Sequence, residues 1–170
     1  MASSRHLSMH SRVSAEHAAM MEGGVSIMVA AASDLRHPSV CRAFGCKVSN
    51  NGGRITVFMS QVEGAALVED VRRTGAVAVM LSEPASHKAV QFKGKDAKVR
   101  RATANEVKTV EAYRRKFVSV VGPLGFDPQG VMAILSCPPS ELVSISFTPE
   151  SAFQQTPGPG AGAALGKEAR

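Results

Sequence analysis

Basic side chains dominate the reactive groups of this chain: 20 Lys and Arg stand against 14 Asp and Glu, a formal charge of +6, with a pI near 9.6. That balance suits an anionic partner, either nucleic acid or a phosphorylated small molecule, and it suits equally a solvated basic surface. Aromatic residues make up only 5% of the chain, with no Trp and one Tyr. They are too few for a platform that stacks bases, so nucleic acid is not the expected partner. Arg114-Arg115-Lys116 reads as a solvated helix face. A helix opening at Ser60-Gln61 would offer free N–H groups and a positive dipole end, where a phosphate sits well. His6 and His10 have the i, i+4 spacing of a metal pair, but no carboxylate or Cys is placed beside them and no metal site is expected. His87, after Pro84-Ala85-Ser86, reads as a surface loop residue. Three cysteines, an odd number, fit a reducing cytoplasm better than a disulfide scaffold, and Cys46 reads as a small core residue. No side chain stands out as a general acid, so no catalytic residue is assigned.

The elements that would position these groups are legible from pattern. Met1–Gly24 reads as a serine-rich leader followed by a short helix at Ser14–Met21, capped by Ser14 and stopped at Gly23-Gly24. Val25–Ala32 is an apolar run of strand length, far short of a membrane span. Ser39–Val48 and Arg54–Ser60 form a hairpin about Asn50-Asn51-Gly52-Gly53, residue types that tolerate positive φ. On that reading Cys41 and Cys46 fall on opposite faces of one strand and cannot easily pair. Ser60-Gln61-Val62-Glu63 is a capping box opening a helix that runs to Thr74, with Leu67, Val68 and Val71 on its apolar face and Gly75 past its end. Ala76–Ser82 and the long His87–Arg101 follow as strands. Thr103-Ala104-Asn105-Glu106 is a second capping box, opening a helix whose Val107, Val110, Tyr113, Phe117 and Val121 recur at helical spacing until Gly122-Pro123. Asp127-Pro128 caps Pro128–Ser136, and Glu141–Thr148 closes the sheet.

The 170 residues therefore divide into a leader and short helix (1–24), one folded domain (25–150) and a Gly/Pro-rich flexible or extended arm (151–170). Six strands, mostly joined by hairpins, point to a mainly β protein: an antiparallel barrel with three short helices plugging its ends. A barrel this small fills its interior with side chains, Phe44, Phe92 and Phe147 among them. A ligand must then sit on the outside, where two copies meet.

The run Arg42-Ala43-Phe44-Gly45-Cys46-Lys47, the turn, Ile55–Ser60, a helix, an apolar strand and Lys88-Ala89-Val90-Gln91-Phe92-Lys93-Gly94 resemble the pyridoxamine 5′-phosphate oxidase-related flavoproteins. The resemblance covers roughly Val25–Arg101 in element order and implies a six-stranded split β-barrel of the FMN-binding type. It implies a homodimer with the cofactor at its interface and a flavin-dependent oxidoreductase whose small-molecule substrate and electron donor are not encoded in any motif. By position it makes Arg42 and Lys47 the basic partners of the FMN phosphate, and Ala43, Phe44 and Gly45 the backbone beside the ring. Phe58 and Met59 match the strand end that touches the flavin, Ser60 and Gln61 the phosphate-side helix start, and Lys88 and Gln91 the long strand facing the cofactor. The alternatives within the same fold are a non-catalytic binder of FMN, haem or a deazaflavin; outside it, a basic nucleic-acid-binding barrel. Two departures stand out. Val62-Glu63-Gly64 replaces the oxidase's Arg-Lys pair, so Arg42, Lys47 or Lys88 must carry the charge. The chain also lacks the oxidase's C-terminal aromatic and basic residues, which rejects vitamin B6 oxidation as the specific activity.

Overall fold

Turn and cap signals place most elements of the computed structural model, which describes residues 12–165. The serine-rich leader and the His6/His10 pair lie outside the described residues. Helix α1 (Ala15–Met21) starts where the Ser14 hydroxyl accepts the His17 N–H at 3.2 Å. Strand β1 (Ser26–Ala32) follows. The expected strand Ser39–Val48 is two strands, β2 (Pro38–Arg42) and β3 (Cys46–Ser49). Between them Ala43 donates to the Ile27 carbonyl at 3.0 Å while Phe44 donates to the Phe58 carbonyl at 2.7 Å, so the chain leaves one sheet and enters the other. Gly45 makes the step at φ +131°, a region other residues avoid. Cys41 and Cys46 thus sit on different strands; both are buried, and Cys41, Cys46 and Cys137 are all free thiols.

Strand β4 (Arg54–Ser60) is followed by α2 (Ala65–Thr74), which buries Leu67, Val68 and Val71 against β1 and β2 and ends on Gly75 at φ +68°. Strand β5 (Val77–Ser82) leads to a second divided strand: His87–Arg101 is β6 (Ala89–Gly94) and β7 (Lys98–Arg101). At that break Ala97 donates to the Gly75 carbonyl at 3.0 Å. Helix α3 (Ala104–Val121) carries the complete Thr103/Glu106 capping box and, at eighteen residues, is not short. A 3-10 turn (Gly122–Leu124), helix α4 (Pro128–Ile134) capped by Asp127, and strands β8 (Leu142–Phe147) and β9 (Ser151–Gln154) complete the chain.

The expected six-stranded barrel is corrected to two antiparallel sheets, one of five strands in the order β2-β1-β5-β6-β9 and one of four in the order β3-β4-β8-β7. Six strands become nine because two long ones divide and β9 adds to the edge of β6. The core lies between the sheets: Ile27, Val29, Val79, Leu81 and Phe92 on one side, Ile55, Val57, Val143, Ile145 and Phe147 on the other, all at most 1% exposed. The Gly/Pro-rich stretch turns back on β9 instead of standing free. Gly162 donates to the Gln154 carbonyl at 2.7 Å, Leu165 to that of Ala152 at 2.9 Å, and Phe153 bridges to Ala164. Backbone pairing holds it, and Leu165 packs partly buried against the core. No helix among the described residues is long and apolar enough to cross a membrane.

Candidate functional site

The two sheets differ in what covers their outer faces. On the four-stranded sheet, α3 lies over the face carrying Lys47, Phe58 and Arg100. The Glu106 carboxylate, 3% exposed, takes two bonds of 2.7 Å from Arg100 and one of 3.1 Å from Lys47. The cations hold this acid far below the usual carboxylate range, at about 2, chiefly through the Arg100 bonds. Tyr113 packs on Gly45, its Cβ 3.2 Å from where a glycine substituent would stand, and its hydroxyl donates to the Val25 carbonyl at 2.7 Å.

Among the described residues, no helix lies over the middle of the outer face of the five-stranded sheet. Direct cross-strand partners build one row, Arg42–Met28–Met80–Gln91–Phe153, and a second, Val40–Ala30–Ala78–Lys93–Ser151. Met28, Ala30, Ala78, Met80 and Gln91 are half-buried, and Val40 is 60% exposed. At about 4.8 Å per strand the face spans about 19 Å from β2 to β9. It is apolar in the middle, with a cation at one end and a carboxamide three strands away. The Arg42 guanidinium donates to the Ser26 hydroxyl at 3.3 Å and forms no ion pair among the described residues.

Beside this row the face falls into a cleft of about 720 Å³, within the usual size for a small-molecule site. Its floor is Ser26, Arg42, Met80, Ser82 and Ala89; the β5–β6 hairpin gives Glu83 and His87; the end of α3, the 3-10 turn and α4 form the opposite wall. His87 holds φ +58°, an uncommon conformation for a residue with a side chain. Gln155 and Pro157 close the rim.

The structure brings Arg42 and Gln91 onto one row, and sets the exposed Lys88 in the adjoining hairpin just before Ala89. It does not bring the other site residues there. Ala43, Phe44, Phe58 and Met59 are 0% exposed, Ser60 is 1% exposed, and Gly45 is buried under Tyr113, so the Ala43–Gly45 segment offers no open surface to a flat ring. Lys47 belongs to the other sheet and is committed to Glu106. Ser60 and Gln61 open no helix: the Ser60 hydroxyl takes the N–H groups of Val62 and Glu63 at 3.2 Å, Gln61 donates to the Glu141 carbonyl at 2.9 Å, and α2 begins only at Ala65. Those donors are spent within the chain, which removes the phosphate seat expected there. Sequence reasoning missed Met28, Met80 and the α3–α4 wall. The available signal was that β1 is apolar on both faces although only one faces the core.

No protein-family model matches the chain, and no curated protein matches it by sequence. Solved structures do. An F420 reductase superposes with a TM-score of 0.55 at 15% identity, over 82% of this chain and 98% of that one. A candidate pyridoxamine 5′-phosphate oxidase from Lactobacillus delbrueckii gives 0.51 at 14% identity, over 84% and 93%. HupZ of Group A Streptococcus gives 0.51 at 15%, over 88% and 99%. At these identities the common property is the fold.

Proposed function

We propose that this chain, which has the fold of the pyridoxamine 5′-phosphate oxidase-like proteins, binds a flat anionic cofactor of the flavin type, FMN first, and acts as an oxidoreductase on a substrate other than vitamin B6. The observation that carries the reading is the row Arg42–Met28–Met80–Gln91 on a sheet face whose middle no described helix covers. The residues present suit such a group. Met28 and Met80 offer polarizable thioethers to a ring face, and the Gln91 carboxamide can both donate to and accept from a polar ring edge. Arg42 supplies a charge that pairs with no acid among the described residues, with a fork that can grip a phosphate through two bonds. When bound, the isoalloxazine would supply the hydride or electron chemistry. The protein positions it and, by seating a second copy on the same apolar face, excludes water. The homodimer is part of the proposal, since an open face about 19 Å across leaves one side of the cofactor in solvent.

A deazaflavin in the same seat is the second reading, motivated by the likeness to an F420 reductase. The test is the absorbance spectrum of freshly purified protein, followed by titration with FMN and with F420 and by sedimentation of the loaded protein. A yellow dimer is expected. Arg42→Ala should weaken FMN binding about 10- to 100-fold, the worth of one charged hydrogen-bonding group, with Arg42→Lys between. A colourless protein that takes up neither cofactor, or an Arg42→Ala variant of undiminished affinity, overturns the reading.

A further inference from the structure

The wall of the cleft opposite Arg42 has a chemistry of its own. Phe117, Val121, Leu124, Phe126, Ile134 and Leu135 line it without a charged group among them. Leu124, Phe126 and Ile134 are 45%, 57% and 67% exposed, half of the large apolar side chains this chain leaves in solvent among its described residues. They all converge on one concavity, whereas apolar residues scattered singly over a surface call for no explanation. The polar groups keep to the other side: Ser26, Ser82 and Arg42 on the floor, Glu83 and His87 at the hairpin. Glu83 opposes an anion at that end, and the one cation of the lining, Arg42, is shared with the cofactor row.

We infer that this cleft takes the substrate, and that the substrate is a neutral, largely apolar small molecule held against the 3-10 turn and α4. The inference rests on the reading of the Arg42–Gln91 row as the cofactor seat, because Met80 and Arg42 belong to both the row and the cleft. A ligand in the cleft therefore abuts the cofactor edge to edge. An anion would meet Glu83 and find the one cation of the lining, Arg42, already engaged by the cofactor, and any charge would lose hydration against the six apolar side chains of the wall. The cleft ends at the hairpin and at Gln155 and Pro157, which suits a small molecule rather than a segment of another protein.

Nile red, a flat uncharged fluorophore, serves as the probe, titrated into the full-length protein with and without bound FMN. Saturable, blue-shifted emission with one probe per chain is expected, and with FMN present, energy transfer from flavin to probe. Phe126→Ser and Ile134→Ser alter exposed positions and should leave the fold intact. Each should weaken binding about tenfold, since about 60 Å² of apolar surface withdrawn from water at about 25 cal/mol/Å² is one factor of ten. Leu35→Ser, at a residue 78% exposed that does not line the cleft, should leave binding unchanged. No saturable binding, affinity indifferent to Phe126 and Ile134, or emission that disappears as the protein dimerises overturns the inference, the last because a second copy would then cover the wall. Failure of FMN to bind while Nile red still depends on Phe126 and Ile134 instead sinks the cofactor seat and leaves the ligand class of the cleft standing.

Discussion

Replacing Glu106 by Gln isolates one charge at the junction that holds α3 to both β3 and β7. The carboxylate accepts from Arg100 Nη1 and Nη2 at 2.7 Å, from Lys47 Nζ at 3.1 Å and from the Thr103 N–H at 2.9 Å. Gln keeps the volume and can still close the capping box, so the lost quantity is chiefly electrostatic. A fall from 4.5 to about 2 corresponds to about 3.4 kcal/mol at about 1.36 kcal/mol per pH unit. Arg100 and Lys47 are 49% and 44% exposed, and water at those cations trims the figure to about 2–3 kcal/mol. The folded value lies below the unfolded one, so the contribution is complete above about pH 4.5 and is lost as pH falls through about 2. Urea unfolding followed by far-ultraviolet circular dichroism should therefore show Glu106→Gln less stable by about 2–3 kcal/mol at neutral pH, and by less than about 0.5 kcal/mol near pH 2. A gap of equal size at both pH values would refute the electrostatic origin. A gap below about 0.5 kcal/mol at neutral pH would show that the half-exposed cations are worth no more than surface pairs. Because α3 also supplies Phe117 and Val121 to the cleft, loosening it should weaken probe binding there in parallel.

Two further outcomes follow from burial. Tyr113→Phe deletes a buried donor to the Val25 carbonyl and should cost about 1–2 kcal/mol in the same urea assay; an unchanged midpoint would mean that water reaches the carbonyl. Burial pushes the Cys46 thiol up to about 12, so iodoacetamide at neutral pH should mark the half-buried Cys137 first and reach Cys46 only on unfolding. Peptide mass spectrometry that finds Cys46 alkylated in the native protein would place it outside the core.

Among the expected site residues, reading by type set Arg42, Gln91 and Lys47 side by side and could not tell which of them share a sheet face. All three are polar residues on strands within the matched segment, and only the sheet assignment separates them. Lys47 follows the break at Gly45, crosses to the four-stranded sheet and meets Glu106, a residue 59 positions away. Ser60 illustrates a motif half realised. Its hydroxyl does take the Glu63 N–H, but Ser60 is the last residue of β4, in register with Leu142 of β8, and the helix starts only at Ala65. The Leu124–Ile134 wall escaped because each of its residues looks ordinary in a turn or a short helix; their convergence on one cleft is a property of three dimensions.

Local chemistry settled whatever depends on a few consecutive residues. The Thr103/Glu106 box, Asp127-Pro128, Ser14 and Gly75 fix helix ends because the donors and acceptors they satisfy lie within one turn. Apolar runs gave the strands because burial follows side-chain pattern. Where a strand changes sheets, and which outer face α3 covers, were decided by pairings between residues remote in sequence. Ala43 bonds to Ile27 and Phe44 to Phe58 across a single peptide, a choice made by the partner strands that no local propensity records.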